Sequence, residues 1–388
     1  MPAATTLSCF ATSAPGLERW LAQELTALGI TVTATEPGGV EFTATPRQVA
    51  DALLWLRTAN RLTIRLATFS ARTFAELERH AAKVTWPSVL APEQAVHFRV
   101  TSKKSRLYHQ DGIAERLEKS VLAQLPGATA VRSASAAEEM ETPVSELPHV
   151  QRVVVRVLRD EVTLSADASG ALLHLRGYRQ AVAKAPLRET LAASLLLASG
   201  WTADMPLLDL MCGSGTIPIE AALLARQMAP GRARRFAAEL WTGWASAFAE
   251  ARAAATLREL PHASIAVAGQ DRDAGAIAAS VANAERAGVG ADVAFTQAAI
   301  SHTTLDEGAG WIVTNPPYGA RVGEKGRLRD LYATLGAVMR ERRPHWRLAM
   351  IGADRVLEGQ LGIAMEDVAK TENGGIAVRV VRAAGSDG

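Results

Sequence analysis

Residues 206–220 read Pro-Leu-Leu-Asp-Leu-Met-Cys-Gly-Ser-Gly-Thr-Ile-Pro-Ile-Glu. An apolar run ends at Asp209, a turn containing Gly213 and Gly215 follows, and an apolar-striped segment continues the chain. This order predicts a buried strand, a tight turn and a helix, which is how nucleotide-binding α/β units begin. Pro218 replaces the last glycine of the dinucleotide motif. The pattern therefore favours an adenosine-like ligand without a diphosphate, with a purely structural turn as the alternative.

A second predicted strand also ends in an acidic residue. Residues 265–271 close on Asp271, and residues 274–288 have helical composition with a glycine at the end. Nucleotide-binding folds hold ribose hydroxyls with a carboxylate at this position, so we expect Asp271 to do so. Asp273 is predicted to cap the following helix. The alternative is that both acids serve only as helix caps.

Residues 315–318 read Asn-Pro-Pro-Tyr and follow an apolar run. Proline holds φ at about −65° and has no N–H group to donate. The Asn315 side-chain oxygen and the Pro316 carbonyl can therefore accept hydrogen bonds from the amino group of a base. The ring of Tyr318 is suited to stack on the same base. An ordinary strand-ending turn is the alternative. Ligands of open α/β sheets bind beyond the carboxyl ends of the strands, so we expect this turn and the turn at 209–215 to line one cleft.

The three motifs, in this order, resemble class I S-adenosylmethionine-dependent methyltransferases that act on amino groups. Further segments make the likeness narrower, because they are similar to THUMP-domain RNA guanine-N2 methyltransferases. The resemblance covers nearly the whole chain and is closest to the bacterial enzymes that act on large-subunit ribosomal RNA, in a form without a fused second methyltransferase. The segments that carry it lie at 10–18, 55–59, 101–109, 172–179, 185–193 and 229–241.

The resemblance implies S-adenosylmethionine as the cofactor and the N2 amine of a guanosine in structured RNA as the methyl acceptor. The catalytic residues would be Asn315, Pro316, Pro317 and Tyr318. The residues expected to bind the cofactor are Asp209, Met211, Cys212, Gly213, Ser214, Gly215, Thr216, Asp271, Arg272, Gln297, Ala298, Thr190 and Arg188. One departure is Ala299, which stands where family members usually place an acid near the adenine. No metal site is expected.

Two basic clusters are candidates for RNA binding, although the net charge of the chain is only +2. Basic side chains beside an aromatic ring suit phosphates and a stacked base, and solvated surface runs are the alternative. The second cluster belongs to a segment at about 226–262, which lengthens the first nucleotide-type unit and matches an insertion of the family. The residues are Lys103, Lys104, Arg106, Tyr108 and His109 in one cluster, and Arg232, Arg234 and Arg235 in the other.

The predicted architecture is an α/β Rossmann-like class I methyltransferase domain preceded by an α+β amino-terminal half. Residues 1–65 are expected to form a ferredoxin-like domain and residues 66–166 a THUMP RNA-binding domain, with a two-residue hairpin turn at Arg159 and Asp160. Residues 167–388 are expected to form the catalytic domain. Its sheet should have seven strands, mostly parallel, with a closing antiparallel strand that the resemblance implies.

Composition narrows the function classes. Hydrophobic residues make up 48% and charged residues 21% of the chain, which are globular values. The two cysteines cannot form a disulfide framework or a zinc cluster. Without a long apolar stretch or a secretory signal, we expect a cytoplasmic monomer that binds RNA and no membrane. Ribosomal RNA is favoured as substrate, while transfer RNA, adenine N6 in DNA, and a catalytically idle RNA-binding or ribosome-assembly role remain alternatives.

Overall fold

The computed structural model describes residues 6–132, 144–180, 187–303, 305, 308–318, 325–342 and 345–384. The chain forms two compact units that do not follow the three consecutive ranges predicted. The first unit comprises Met1–Thr12, Ala22–Leu173 and Gly231–Ala254. The second unit comprises Ser13–Leu21, His174–Pro230 and Ala255–Gly388.

The helices interleave with strands throughout the described part of the chain. They are α1 (Glu18–Ala27), α2 (Pro46–Trp55), α3 (Phe74–Ala81), α4 (Gln110–Gln124), α5 (Glu189–Ser199), α6 (Thr216–Ala225), α7 (Ala245–Arg258), α8 (Ala274–Ala287), α9 (Lys325–Arg342) and α10 (Arg355–Gly359). None of the helices in the described ranges combines the length and the apolar composition needed to cross a membrane.

The first unit contains one eight-stranded sheet, with strand order β2-β3-β1-β4-β8-β7-β5-β6. Strand β4 pairs with β1 on one side and β8 on the other, so the predicted boundary at residue 66 falls inside a strand that the ferredoxin-like region shares with the next region. The predicted hairpin turn is confirmed, because Arg159 and Asp160 both have positive φ between β7 and β8. The strands are β1 (Leu7–Thr12), β2 (Thr31–Glu36), β3 (Gly39–Ala44), β4 (Arg61–Ser70), β5 (Ala95–Lys103), β6 (Thr129–Ala130), β7 (Val150–Leu158) and β8 (Glu161–Asp167).

The second unit contains a seven-stranded sheet with strand order β11-β10-β9-β12-β13-β15-β14. The pairs among β9 to β13 are parallel, and β15 is antiparallel to both β13 and β14. The predicted strand count and closing antiparallel strand are therefore confirmed. The strands are β9 (Leu207–Asp209), β10 (Val267–Asp271), β11 (Val293–Gln297), β12 (Gly310–Thr314), β13 (Trp346–Gly352), β14 (Met365–Asn373) and β15 (Ile376–Ala383).

Helices cover both faces of this sheet, because successive strand residues belong to different cores. Trp311 and Val313 pack with α5, α6 and α8, whereas Ile312 packs with α9. This alternation follows from the two-residue period of a strand. The order of the strands reverses between β9 and β12, and such a reversal opens a crevice beyond the carboxyl ends of the two strands.

Residues 231–254 leave the second unit and complete the core of the first. The Trp241 indole nitrogen donates to the buried Gln151 side-chain oxygen at 2.8 Å. The Thr242 hydroxyl donates to the Pro87 carbonyl at 2.9 Å. The insertion is therefore structural in the first unit, although it follows helix α6 of the second unit in sequence.

Replacing Trp241 by Phe should destabilise the first unit. The ring volume is largely retained, but the Gln151 side-chain oxygen is left buried without its donor, which costs about 1–3 kcal/mol. Hydrogen exchange of β7 amides should speed up in the variant, while exchange in β12 should not change. Equal acceleration in both strands would contradict a role confined to the first unit.

Candidate active site

The glycine turn after β9 is held from below by helix α8. Gly213 and Gly215 have φ of +55° and +81°, a conformation that favours glycine. The Ser280 hydroxyl donates to the Gly213 carbonyl at 2.8 Å, and the Asn283 amide donates to the Ser214 carbonyl at 3.0 Å. A Cβ at Gly213 would meet no atom within 4 Å, so the backbone there faces open space where a ligand can approach it closely.

Two acids at adjacent strand ends shape the site. Asp209 is buried, and its Oδ1 accepts from the Thr314 hydroxyl at 2.6 Å, which ties the end of β9 to the end of β12. Asp271 at the end of β10 accepts from the Gly213 N–H at 3.0 Å. Asp273 caps α8 by accepting from the first-turn N–H groups, as predicted. Asp271 therefore supports the glycine turn from the end of β10. Its partly exposed carboxylate keeps lone pairs available for a ligand.

Burial raises the pKa of Asp209 from 3.8 to about 7, against the lowering effect of its hydrogen bonds from Thr314 and the Met211 N–H. The contribution of Asp209 to the free energy of unfolding is therefore largest below pH 4. It decreases as the pH rises to about 7, because the Asp209 carboxyl ionises at a lower pH in the unfolded chain than in the folded one. The maximal loss is on the order of 4 kcal/mol.

We expect Asp209→Asn to remove this pH dependence while keeping an acceptor for Thr314. The midpoint of urea unfolding should be similar for wild type and variant at pH 4, and higher for the variant at pH 8. Parallel pH profiles for the two proteins would show that the Asp209 carboxyl is not the titrating group.

The Asn-Pro-Pro-Tyr turn presents a buried side-chain acceptor that has no partner among the described residues. The Asn315 Oδ1 is buried and accepts no hydrogen bond from any described residue. Pro316 is buried and Pro317 exposed, and neither has an N–H group. Tyr318 is half-buried, and its hydroxyl accepts from the Asn373 amide at 2.6 Å. Burial raises the pKa of Tyr318, so the ring stays neutral while the hairpin between β14 and β15 fixes its position.

The glycine turn and the Asn-Pro-Pro-Tyr turn line one cavity of about 880 Å³, which confirms that the two turns share a cleft. Gly215, Gln297 and Thr190 do not line it: Gly215 packs against Phe295, Gln297 donates to the Arg272 carbonyl, and Thr190 is buried in α5. The predicted residues that line it are Asp209, Met211, Cys212, Gly213, Ser214, Thr216, Asp271, Arg272, Ala298, Arg188, Asn315, Pro316, Pro317 and Tyr318.

Several other residues that line the cavity were not predicted from the sequence. One group comes from a single face of α9, and its spacing of one, three and three residues is a signal that could have found it. A second group comes from the tip of the β14–β15 hairpin, where Asn-Gly is a turn signal. These residues are Arg327, Leu328, Leu331 and Thr334 on α9, and Asn373, Gly374 and Ile376 on the hairpin.

The first predicted RNA-binding cluster is exposed on the first unit. Lys103 at the end of β5 is exposed, and so are Lys104 and Arg106, which follow the strand. Tyr108 is 78% exposed, and the exposed His109 also caps α4 by accepting from the Gly112 N–H. An exposed ring beside three cations is available for contact with a nucleic acid.

The three arginines of the second cluster differ in exposure, and the prediction that Arg234 binds RNA is wrong. Arg234 is 1% exposed, and its guanidinium donates to the carbonyls of Leu172 and Ala171 at 2.6 and 2.7 Å, so it stabilises the first unit and is not accessible to RNA. Arg235 pairs with Glu239 at 2.8 Å. Arg232 is exposed. A basic run in a sequence does not reveal that one of its members is buried against backbone carbonyls.

Comparison with known proteins agrees with this architecture. A family model described as the RMKL-like methyltransferase domain matches residues 176–381, and a model described as the RlmL ferredoxin-like domain matches residues 8–63. A Synechocystis sp. protein, slr0064, provisionally named an RNA methyltransferase, is 30% identical over 98% of this chain and 97% of its own length. The ribosomal RNA large subunit methyltransferase K/L of Syntrophotalea carbinolica is 33% identical over 96% of this chain and 53% of that protein, so the chain spans about half the length of that relative.

Solved structures match along nearly the whole chain. SMU.472, provisionally named a methyltransferase and solved with SAH, has a TM-score of 0.82 and 28% identity, and the match covers 97% of each chain. A Listeria monocytogenes protein described as a predicted N6-adenine-specific DNA methylase also has a TM-score of 0.82, with 32% identity and coverage of 97% of this chain and 96% of that chain. From the sheet order, the shared cavity and these matches, we conclude that the chain belongs to the RMKL-like methyltransferase family.

Proposed function

We propose that this protein transfers a methyl group from S-adenosylmethionine to the exocyclic N2 amine of a guanosine in structured RNA, with large-subunit ribosomal RNA as the substrate. The observation that carries the proposal is the buried Asn315 Oδ1, an acceptor without a partner in the described structure, in the cavity that the glycine turn also lines. A buried polar atom without a partner is costly, and a ligand that donates to it removes the cost.

The residues of the cavity fit the proposed cofactor. The open backbone at Gly213 admits a ligand, and Asp271 can accept from two neighbouring ribose hydroxyls. The chain has no lysine in the glycine turn for a diphosphate, which agrees with an adenosine bearing an amino acid. SMU.472, a relative solved with SAH, supports the same cofactor here. When bound, S-adenosylmethionine supplies a methyl group on a positively charged sulfur.

The turn at 315–318 suits an amino group as the acceptor of that methyl. An amine on a base is a weak nucleophile because its lone pair is delocalised into the ring. Hydrogen bonds from its two protons to the Asn315 Oδ1 and the Pro316 carbonyl would favour a tetrahedral nitrogen whose lone pair is free to attack. The two acceptors would hold the amine nitrogen facing the methyl group that the cofactor would supply, and the proton released on methylation would pass to solvent. Positioning and fixed dipoles therefore supply the acceleration, and no strong base is needed.

The target base has to leave its stack to reach this turn. Tyr318 offers a ring for the extruded base, and the Asn373 amide holds the hydroxyl end of that ring. Extrusion costs a few kcal/mol in a duplex and less in a loop, which favours an unpaired or bulged guanosine. The exposed cluster of Lys103, Arg106 and Tyr108 would hold RNA outside the cavity, and we keep the assignment of residues 66–166 to a THUMP domain as part of this proposal.

A second candidate is adenine-N6 methylation of DNA, which the description of the Listeria protein favours. The same two acceptors would serve an adenine amine, so the turn itself does not separate the two. The K/L and slr0064 names favour RNA, and the exposed Tyr108 beside cations suits a single-stranded base better than a duplex.

Methylation of defined nucleic acids tests the proposal. The protein is incubated with S-adenosylmethionine labelled in the methyl group and with large-subunit ribosomal RNA transcripts, transfer RNA transcripts or duplex DNA, and the products are digested to nucleosides for mass analysis. We expect N2-methylguanosine from the ribosomal transcripts. Label in deoxyadenosine, in transfer RNA alone, or in none of the substrates would overturn the proposed substrate.

A further inference from the structure

Three arginines line the cavity, and their side chains have no partner in the part of the chain that the structure describes. Arg188, Arg272 and Arg327 are exposed, and none of their guanidinium groups forms an ion pair or a hydrogen bond with a described residue. The acids among the described lining residues are Asp209, which is buried and tied to Thr314, and Asp271, which accepts from the glycine turn. The cavity therefore holds cations that form no ion pair with an acid of the described chain.

The surface nearby shows that arginine pairing is common in the same unit. Arg379 contacts both Glu358 and Asp367 at 2.6 Å, and Arg355 contacts Asp367 at 2.8 Å. Among the described residues, Arg329 also forms no ion pair although it lies outside the cavity, so the three guanidinium groups are distinguished by their concave setting. Guanidinium groups bind carboxylates and phosphates through paired N–H donors, so the cavity is suited to anionic ligands.

The proposed cofactor accounts for one of these cations at most. S-adenosylmethionine carries a single carboxylate, and its ammonium and sulfonium groups are themselves positive. Arg188 precedes α5 and is one of the residues expected to bind the cofactor, and Arg272 directly follows the ribose-binding candidate Asp271. Arg327 is left without an anion from the cofactor.

Arg327 lies on the acceptor side of the cavity. It is in the first turn of α9, the helix that follows the Asn-Pro-Pro-Tyr turn in sequence, and it shares its lining face with Leu331 and Thr334. The amino terminus of α9, an 18-residue helix, adds the positive field of the helix dipole there. A cation in this place faces the side where the target nucleotide is expected.

We propose that Arg327 binds a backbone phosphate adjoining the guanosine whose base enters the cavity. This inference rests on the proposed function and extends it from the base to the phosphate. The contact would hold the extruded nucleotide in register with Asn315 without touching the base. It would therefore strengthen binding of RNA of any sequence and leave binding of the cofactor unchanged.

The chain offers a matched control for Arg327 on the same helix. Arg329 is also exposed but does not line the cavity, because two residues along a helix turn the side chain through about 200°. We compare Arg327→Ala, Arg327→Lys and Arg329→Ala. Affinity for a short fluorescent single-stranded RNA of mixed sequence is measured at several salt concentrations. The constants kcat and KM are measured with the ribosomal transcript.

Arg327→Ala should weaken binding of the single-stranded RNA and reduce the slope of log affinity against log salt by about 0.7, the value for one phosphate on a single strand. Its KM for the transcript should rise about tenfold with kcat and cofactor affinity retained. Arg327→Lys should keep the slope, and Arg329→Ala should behave as wild type. Loss of cofactor affinity, or equal slopes for the two alanine variants, would overturn the inference. The slope is measurable without turnover, so it tests Arg327 even if wild type methylates none of the RNAs.

Discussion

Replacing Asn315 by Ala should lower kcat for methyl transfer about 10²–10³-fold while leaving cofactor affinity within twofold of wild type. The variant removes the side-chain acceptor that orients the amine, and loss of one preorganised group of this kind costs about 10²–10³ in kcat. The distinctive expectation concerns stability. Because the Asn315 Oδ1 has no partner in the described structure, its removal breaks no internal hydrogen bond, and the melting temperature should not decrease.

Three measurements separate the roles of Asn315. Calorimetry with S-adenosylmethionine reports cofactor affinity, thermal unfolding reports stability, and single-turnover methylation reports the chemical step. Asn315→Asp is a useful companion variant, because a carboxylate keeps the acceptor but adds a charge in a buried place. Parallel loss of cofactor affinity and turnover in Asn315→Ala would contradict the role assigned to this residue.

Replacing Asp271 by Ala should weaken cofactor binding about 10²-fold. The variant would lose both the acceptor for the ribose hydroxyls and the hydrogen bond from the Gly213 N–H, which helps to hold the glycine turn. Asp273→Ala is the matched control two residues away. It removes the cap of α8 and should cost about 1 kcal/mol of stability with cofactor affinity retained.

Isothermal titration with S-adenosylhomocysteine measures the effect without turnover. Asp271→Asn keeps one acceptor oxygen and should lie between wild type and Asp271→Ala. Equal cofactor affinities of Asp271→Ala and Asp273→Ala would place the ribose elsewhere in the cavity.

The core of the site could be predicted because its signals are local. Apolar runs that close on Asp209 and Asp271, with glycines at the turn, specify strand, turn and helix within about twenty residues, and neighbouring parallel strand ends then meet. The residues of the α9 face and the β14–β15 hairpin come from further along the chain. Strand β14 gives only a weak signal in the sequence, because it is an edge strand with mostly exposed or partly exposed residues and no clear alternation.

Features that depend on distant partners were not predictable. The sharing of β4 between two predicted domains arises from backbone hydrogen bonds to β1 and β8, which side-chain patterns do not encode. The burial of Arg234 depends on carbonyls more than sixty residues earlier in the chain. In both cases the local sequence is compatible with several environments, and only the tertiary contacts select one.

The packing of residues 231–254 in the first unit has a consequence during synthesis. Trp241 leaves the ribosome ninety residues after its partner Gln151, which is about 5–18 s later at ordinary elongation rates. Throughout that interval the nascent amino-terminal sheet lacks part of its covering, while β9 and α6 of the other unit have already been translated. We therefore expect the first unit to complete its folding only after the glycine turn of the second unit has been translated.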